Sequence, residues 1–240
     1  MKLIEAPSPN FEPRTAVPDM IVLHYTGMRT GDEAIARLRD PEAKVSSHYM
    51  VEEDGRVFRL VPEERRAWHA GLSFWKGEGD VNTRSIGVEI VNPGHEFGYR
   101  PFPEAQVEAV IELVADIRTR WMVEDGKIVG HSDIAPDRKE DPGELFPWKR
   151  LAEAGHGLWA EPPPAPGAAL AEGEEGVGVF GLQAGLTRLG YDCAPSGKFD
   201  GHTTAVVRAF QRHWLQTRFD GVADGETRAR LIALLRLGAA

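Results

Sequence analysis

The chain has 240 residues, 42% of them hydrophobic and 27% charged, and carries a net charge of −9 at pH 7. Such a composition is ordinary for a soluble globular protein and allows one large domain or two smaller ones. It argues against a chain-wide affinity for nucleic acid, and no apolar run approaches the roughly 20 residues of a membrane helix, so no integral membrane contact is expected.

The opening stretch, MKLIEAPSPNFEPR, has no apolar core of the signal-peptide kind, which favours a cytoplasmic location. Residues 1–18 are rich in Pro and polar groups and read as an arm lying over the fold. Met20-Ile-Val-Leu23 is a short buried strand that runs into His24-Tyr-Thr-Gly27. Asp32 to Arg39 has helical spacing (Ala34, Ile35, Leu38) and ends before Pro41. Val45 to Val51 reads as a strand, Asp54-Gly55 as a hairpin turn and Val57 to Val61 as the returning strand. Ser85 to Val91 (SIGVEIV) is an interior strand. Val107, Val110, Ile111, Val114, Ile117 and Trp121 make the stripe of a helix over Pro103–Trp121, with the proline in its first turn. Ile128-Val129 leads as a strand into Gly130-His131. Strands interleaved with helices predict an α/β domain with its site at strand ends.

Glu161 to Glu175, EPPPAPGAALAEGEE, is a linker by composition. Flexible, it would span about 20 Å, and as polyproline about 45 Å, leaving the C-terminal residues free to move. The charge changes sign across it: residues 176–240 carry 8 Lys or Arg against 5 Asp or Glu, and the rest of the chain 20 against 32. Beyond the linker lie three helical patterns, around Val179–Leu189, Val206–Trp214 and Leu231–Leu235. Asp200-Gly-His-Thr203 and Asp224-Gly-Glu-Thr227 supply caps for the second and third. The expected organisation is thus an α/β domain over 1–160, a linker over 161–175 and a small all-α domain over 176–240. The single Cys193 excludes an internal disulfide.

GHSDIAPDRKEDPG (Gly130–Gly143) is the stretch richest in chemistry. A catalytic zinc site needs about three ligands from His, Asp or Glu and an open position for water. His24 and His131 stand where strands give way to loops, and Asp141 comes ten positions after His131, held by Pro142-Gly143. Lys139, two before Asp141, projects to the same side and places a cation where an oxyanion would form. Glu89 lies opposite the apolar face of Ile86, Val88 and Ile90, so a buried carboxylate there needs a partner such as an activated water. Read alone, each residue keeps an ordinary alternative: His24 a hydrogen-bonded structural histidine, Lys139 with Asp141 a surface ion pair, Glu89 an edge carboxylate. His48 and His69 read as partly buried histidines; His95, His156, His202 and His213 carry no functional reading.

Five segments in order, LHYT (23–26), SSHYMVEEDG (46–55), AWHAG (67–71), NTRSIGVEIVN (82–92) and the 130–143 stretch, resemble the zinc-dependent N-acetylmuramoyl-L-alanine amidases. These share a fold with the peptidoglycan recognition proteins, a mixed β-sheet flanked by helices. The resemblance covers roughly the first 150 residues. It implies His24, His131 and Asp141 as zinc ligands, Glu89 as the catalytic glutamate and Lys139 as the lysine near the oxyanion. It also places His69 and Trp68 in a motif lining the substrate groove. One departure is that Ser47 stands where phage-type amidases carry a catalytic tyrosine; Tyr49, two residues on, is expected on the same side without that role.

Residues 176–240 resemble the three-helix peptidoglycan-binding module of wall hydrolases, through Leu182-Gln183, Leu189-Gly-Tyr191, Phe199-Asp-Gly, Ala209-Phe-Gln211 and Asp220–Gly225 with Thr227. The implied activity is hydrolysis of the amide between N-acetylmuramic acid, or its 1,6-anhydro form, and L-alanine, in peptidoglycan or muropeptides. A muropeptide-recognition protein without activity and a zinc peptidase cutting within the stem peptide are the rivals. The wall-binding resemblance makes the periplasm or cell envelope the alternative location.

Overall fold

The computed structural model describes residues 1–238. In chain order the elements are β1 (Leu3–Glu5), β2 (Phe11–Pro13), β3 (Met20–Tyr25), α1 (Gly31–Arg39), β4 (Tyr49–Val51), β5 (Val57–Arg59), β6 (Arg65–Ala67), β7 (Phe74–Trp75) and β8 (Glu78–Gly79). Next come β9 (Ser85–Ile90), α2 (Gly94–Phe97), α3 (Glu104–Arg120), β10 (Ile128–Gly130), α4 (His131–Ile134) and α5 (Trp148–Glu153), then α6 (Val177–Leu189), α7 (Gly201–Trp214) and α8 (Gly225–Leu237). Among the described residues no helix is long and apolar enough to cross a membrane.

Six strands form one mixed sheet in the order β1-β5-β4-β9-β3-β10. The β4, β9, β3 and β10 strands run parallel, and β5 is antiparallel to β4. Side chains alternate between faces along each strand. Ile21, Leu23, Ile86, Val88 and Ile90 therefore all point one way, where the α3 stripe of Val107, Val110, Val114 and Ile117 covers them in one apolar cluster. The opposite face carries Met20, Val22 and His24 on β3, with Ser85, Gly87 and Glu89 beside them on β9.

Two local expectations change. The strand expected from Val45 begins only at Tyr49, because a 3-10 turn over Pro41–Ala43 and left-handed Lys44 (φ 50°) redirect the chain. Ser46 Oγ there donates to the Asn10 carbonyl at 2.5 Å and accepts from Trp68 N–H at 2.9 Å, bonds that compete with a ladder. The N-terminal arm is also bound more firmly than its composition implies. It contributes β1 and β2 to sheets, and Arg14 sends its guanidinium onto the carbonyls of Glu63, Thr83, Arg65 and Ser85 at 2.7–3.0 Å.

The C-terminal helices start where expected: Asp200 accepts from Thr203 N–H at 2.8 Å and Asp224 from Thr227 N–H at 2.9 Å. The freely moving module is where the structure differs. Residues 165–175 are bound to the helices, through Ala165 N–H to Gly225 O (2.8 Å), a bridge between Leu170 and Ala223, and Phe199 N–H to Glu174 O (2.9 Å). The helices in turn share one apolar cluster with Met20, Val22, Trp75, Val129 and Ile134 of the α/β part. Trp75 meets Tyr191 edge-on at 5.0 Å, and Lys76 N–H donates to Gly190 O at 2.8 Å.

Glu63, 6% exposed, fastens the β5–β6 connection to α3. Its carboxylate accepts from Tyr49 Oη (2.7 Å), Trp121 Nε1 (2.7 Å) and Arg120 Nε and Nη2 (2.8 Å each). Burial raises its pKa, but the hydrogen bonds from Arg120, Tyr49 and Trp121 outweigh burial and hold it below 4.5. A depressed carboxyl contributes stability above its unfolded value that is lost as pH falls through the folded one. Glu63→Gln is expected to cost about 2 kcal/mol near neutral pH, because Arg120 is half in water. In denaturant titrations the gap between the two proteins should narrow as pH drops below 4.5; a gap independent of pH would refute the ion-pair account.

Candidate metal centre and active site

Parallel pairing of β3 with β9 sets His24 directly beside Glu89 at the strand ends. Pairing of β10 with β3 sets Gly130 beside Leu23, so that His131, the next residue, opens α4 at the same edge. Asp141 returns to it because Ser132 N–H donates to the Asp141 carbonyl at 2.9 Å. His24 Nδ1, His131 Nδ1 and Asp141 Oδ2 lie 3.0 Å from one another, and all three residues are buried. Among the described residues they form a group able to hold a metal ion.

The hydrogen bonds around this triangle decide which atoms carry protons. Ser85 Oγ donates to the Val81 carbonyl at 2.6 Å, so toward His69 Nε2, 3.2 Å away, it acts as acceptor. His69 then carries its proton on Nε2, and its bare Nδ1 accepts from His24 Nε2–H at 3.0 Å. His24 Nδ1 is left as a lone pair. His131 Nε2 faces the Ala70 carbonyl at 3.1 Å, which only accepts, so His131 Nδ1 is a lone pair too. Burial pushes His24 down to about 4, keeping it neutral at physiological pH. Two imidazole lone pairs and a carboxylate oxygen therefore converge with no proton between them. Tetrahedral zinc with bonds of about 2.0 Å separates its ligands by roughly 3.3 Å, close to the spacing here. The donor set fits the metal.

The triangle opens on a cleft of about 470 Å³ bordered also by Glu89, Lys139, Tyr25, His95 and Arg138. One Glu89 oxygen, Oε2, is buried without a hydrogen-bond partner. Burial and the Asp141 carboxylate raise the Glu89 pKa well above the ordinary value, against the pull of Lys139.

A family model described as N-acetylmuramoyl-L-alanine amidase matches residues 14–144, and a peptidoglycan binding domain model matches residues 175–231. The chain belongs to the N-acetylmuramoyl-L-alanine amidase family. The amidase is 38% identical to AmiD of Escherichia coli over 239 residues, covering 90% of this chain and 82% of that one. A solved complex of E. coli AmiD with anhydro-N-acetylmuramic acid-L-Ala-D-γ-Glu-L-Lys superposes with a TM-score of 0.78 at 37% identity, covering 94% of this chain and 92% of that one. AmpDh3 of Pseudomonas aeruginosa matches with a TM-score of 0.78 at 30% identity, covering 97% and 95%. AmpD of Enterobacter cloacae is 32% identical over 164 residues, 60% of this chain and 86% of that one.

In this amidase the structure gathers six of the seven residues singled out from sequence, His24, His69, His131, Asp141, Glu89 and Lys139, around one cleft. His69 touches the cleft, but both its ring nitrogens are engaged, with His24 and Ser85, which makes it a support for a ligand histidine rather than a donor to substrate. Trp68 does not border the cleft. Tyr49 is turned into the apolar core beneath α3 and donates to Glu63, so it does not stand in for a tyrosine at 47; Ser47 itself is buried. Sequence reasoning missed Ser85 and Gly87. The signal was there, since alternation puts both on the face of His24 and Glu89. It also missed Tyr25 and His95, joined Oη to Nδ1 at 3.0 Å on the cleft wall, for which the spacing gives no sign.

Gly87 is bare because a Cβ there would lie 2.5 Å from the His69 ring. Gly87→Ala must displace that ring and release His24. Metal affinity of the full chain, measured by chelator competition, is expected to fall about 10- to 100-fold; wild-type affinity in a folded variant would remove His69 from the metal centre.

Proposed function

We propose that the chain is a zinc-dependent amidase that hydrolyses the bond between N-acetylmuramic acid, or its 1,6-anhydro form, and L-alanine in muropeptides or peptidoglycan. The observation that carries the reading is the proton-free triangle of His24, His131 and Asp141 beside the unpartnered Glu89 carboxylate. When bound, zinc supplies Lewis-acid activation of water and of the scissile carbonyl. Glu89, with its pKa raised by burial, takes the proton of the attacking water and delivers one to the departing amine of L-alanine. Lys139 borders the cleft and stabilises the negative charge that develops on the carbonyl oxygen. Ser47 offers no hydroxyl to the cleft, so the proton traffic falls to Glu89. The peptide-bearing anhydro sugar in the AmiD complex supports muropeptides as the substrate class.

Mass spectrometry of digested anhydro-muropeptides and of intact sacculi, with and without chelator, tests the reading. Free stem peptide beginning with L-Ala is expected, and its loss with chelator; a cut inside the peptide, or no product, would sink it. Glu89→Gln should retain metal while kcat falls about 10²- to 10⁴-fold. Asp141→Ala should lose metal together with activity. Full turnover by a verified Glu89→Gln protein would take the general-base role from Glu89.

A further inference from the structure

Asp133 is 1% exposed and lies two residues beyond His131 in the four-residue α4. A carboxylate so buried must be fully partnered. Its Oδ2 accepts from Gly130 N–H and from His213 Nδ1, each at 2.7 Å, and its Oδ1 accepts from the Tyr191 hydroxyl at 2.6 Å. Two of the three donors come from the C-terminal module, Tyr191 from the α6–α7 connection and His213 from α7. Neither donor is free to wander: Tyr191 is fully buried, and the His213 ring is stacked between Trp148 at 3.7 Å and Trp214 at 3.6 Å.

Further contacts from the same module bracket Asp141. His202 Nδ1 meets Asp137 at 2.8 Å, Arg212 meets Glu140 at 2.5 Å, and Gln216 donates to the Phe146 carbonyl at 2.6 Å. The Ser132 N–H bond to the Asp141 carbonyl links the two ligand-bearing segments, so a shift of α4 is felt at both.

We propose that the helical module is a positioning part of the metal centre: Tyr191 and His213, acting through Asp133, set the place of His131 and hence the spacing of the three donors. The inference rests on the metal-dependent reading of the site and assigns the module a role besides any binding of wall polymer. Tyr191 and His213 are positioning residues, since neither touches the cleft.

The test uses the full chain carrying Tyr191→Phe, which removes one hydroxyl and keeps the ring, or His213→Gln. The control is Val206→Ala, in the module core and without a hydrogen bond to Asp133. Zinc affinity by chelator competition should fall about 10-fold in each of the first two variants and about 100-fold when they are combined. The visible absorption of cobalt-substituted protein should shift, and kcat should fall with KM nearly unchanged. Val206→Ala should lower the melting temperature and leave zinc affinity and the cobalt spectrum as in wild type. Wild-type zinc affinity and cobalt spectrum in Tyr191→Phe would overturn the proposal, as would an equal loss of affinity in the control. Hydrogen exchange separates this from failure of the metal reading. If the wild-type chain binds no zinc, faster exchange of the 130–141 amides in metal-free Tyr191→Phe still upholds positioning, and unchanged exchange refutes it.

Discussion

Three lone-pair atoms held 3.0 Å apart and out of water repel one another unless a cation lies among them. Without a cation, the repulsion drives the three atoms apart, so the surrounding structure has to hold them together. It does so with parts that are rigid for other reasons. His24 is fixed by a buried strand paired on both sides, and its ring by the run through His69 and Ser85 to the Val81 carbonyl. His131 is fixed by the Ala70 carbonyl on one side and by the turn that Asp133 closes on the other. The same bonds set tautomers, which is why the lone pairs, and not N–H groups, face inward.

Sheet register does the remaining placement. Because β3 and β9 are parallel and in phase, His24 and Glu89 emerge side by side, and a slip of one residue would send one of them into the core beneath α3. Building the proposed ligand and the proposed base on adjacent strands gives tighter positions than loops allow. The cost is that Glu89 sits where water cannot fully solvate it, and burial together with the Asp141 carboxylate holds its pKa well above the ordinary carboxylate value.

This explains which parts could be read from the chain. Strands such as SIGVEIV and the α3 stripe announce themselves by period, and Asp200 and Asp224 by cap chemistry, because those signals are local. The five cleft residues other than His69 were legible because five motifs kept their order and because strand ends converge. The second layer was not. His69 carries no local mark that separates a ring touching substrate from one supporting another ring; only the 2.5 Å approach over Gly87 and the anchored Ser85 hydroxyl decide it. The linker misled for a similar reason. Its Pro, Ala, Gly and Glu describe how the segment behaves alone, whereas its backbone partners, Gly225, Ala223 and Phe199, lie far along the chain.

Seen from the sheet, the helical module completes a layer. The face opposite α3 is covered by α1 over Met50, and beyond it Met20, Val22 and Val129 belong to the same apolar cluster as Leu182, Tyr191 and Phe210. A module tethered only to raise local concentration on a polymer would need a long free linker and a polar surface toward the enzyme. Here the surface is apolar, with a tyrosine and a histidine directed onto a buried carboxylate two residues from a ligand. A buried carboxylate without those donors would be costly, and the cost would fall on the segment that carries His131. The arrangement therefore couples the place of the three candidate metal donors to docking of the helices.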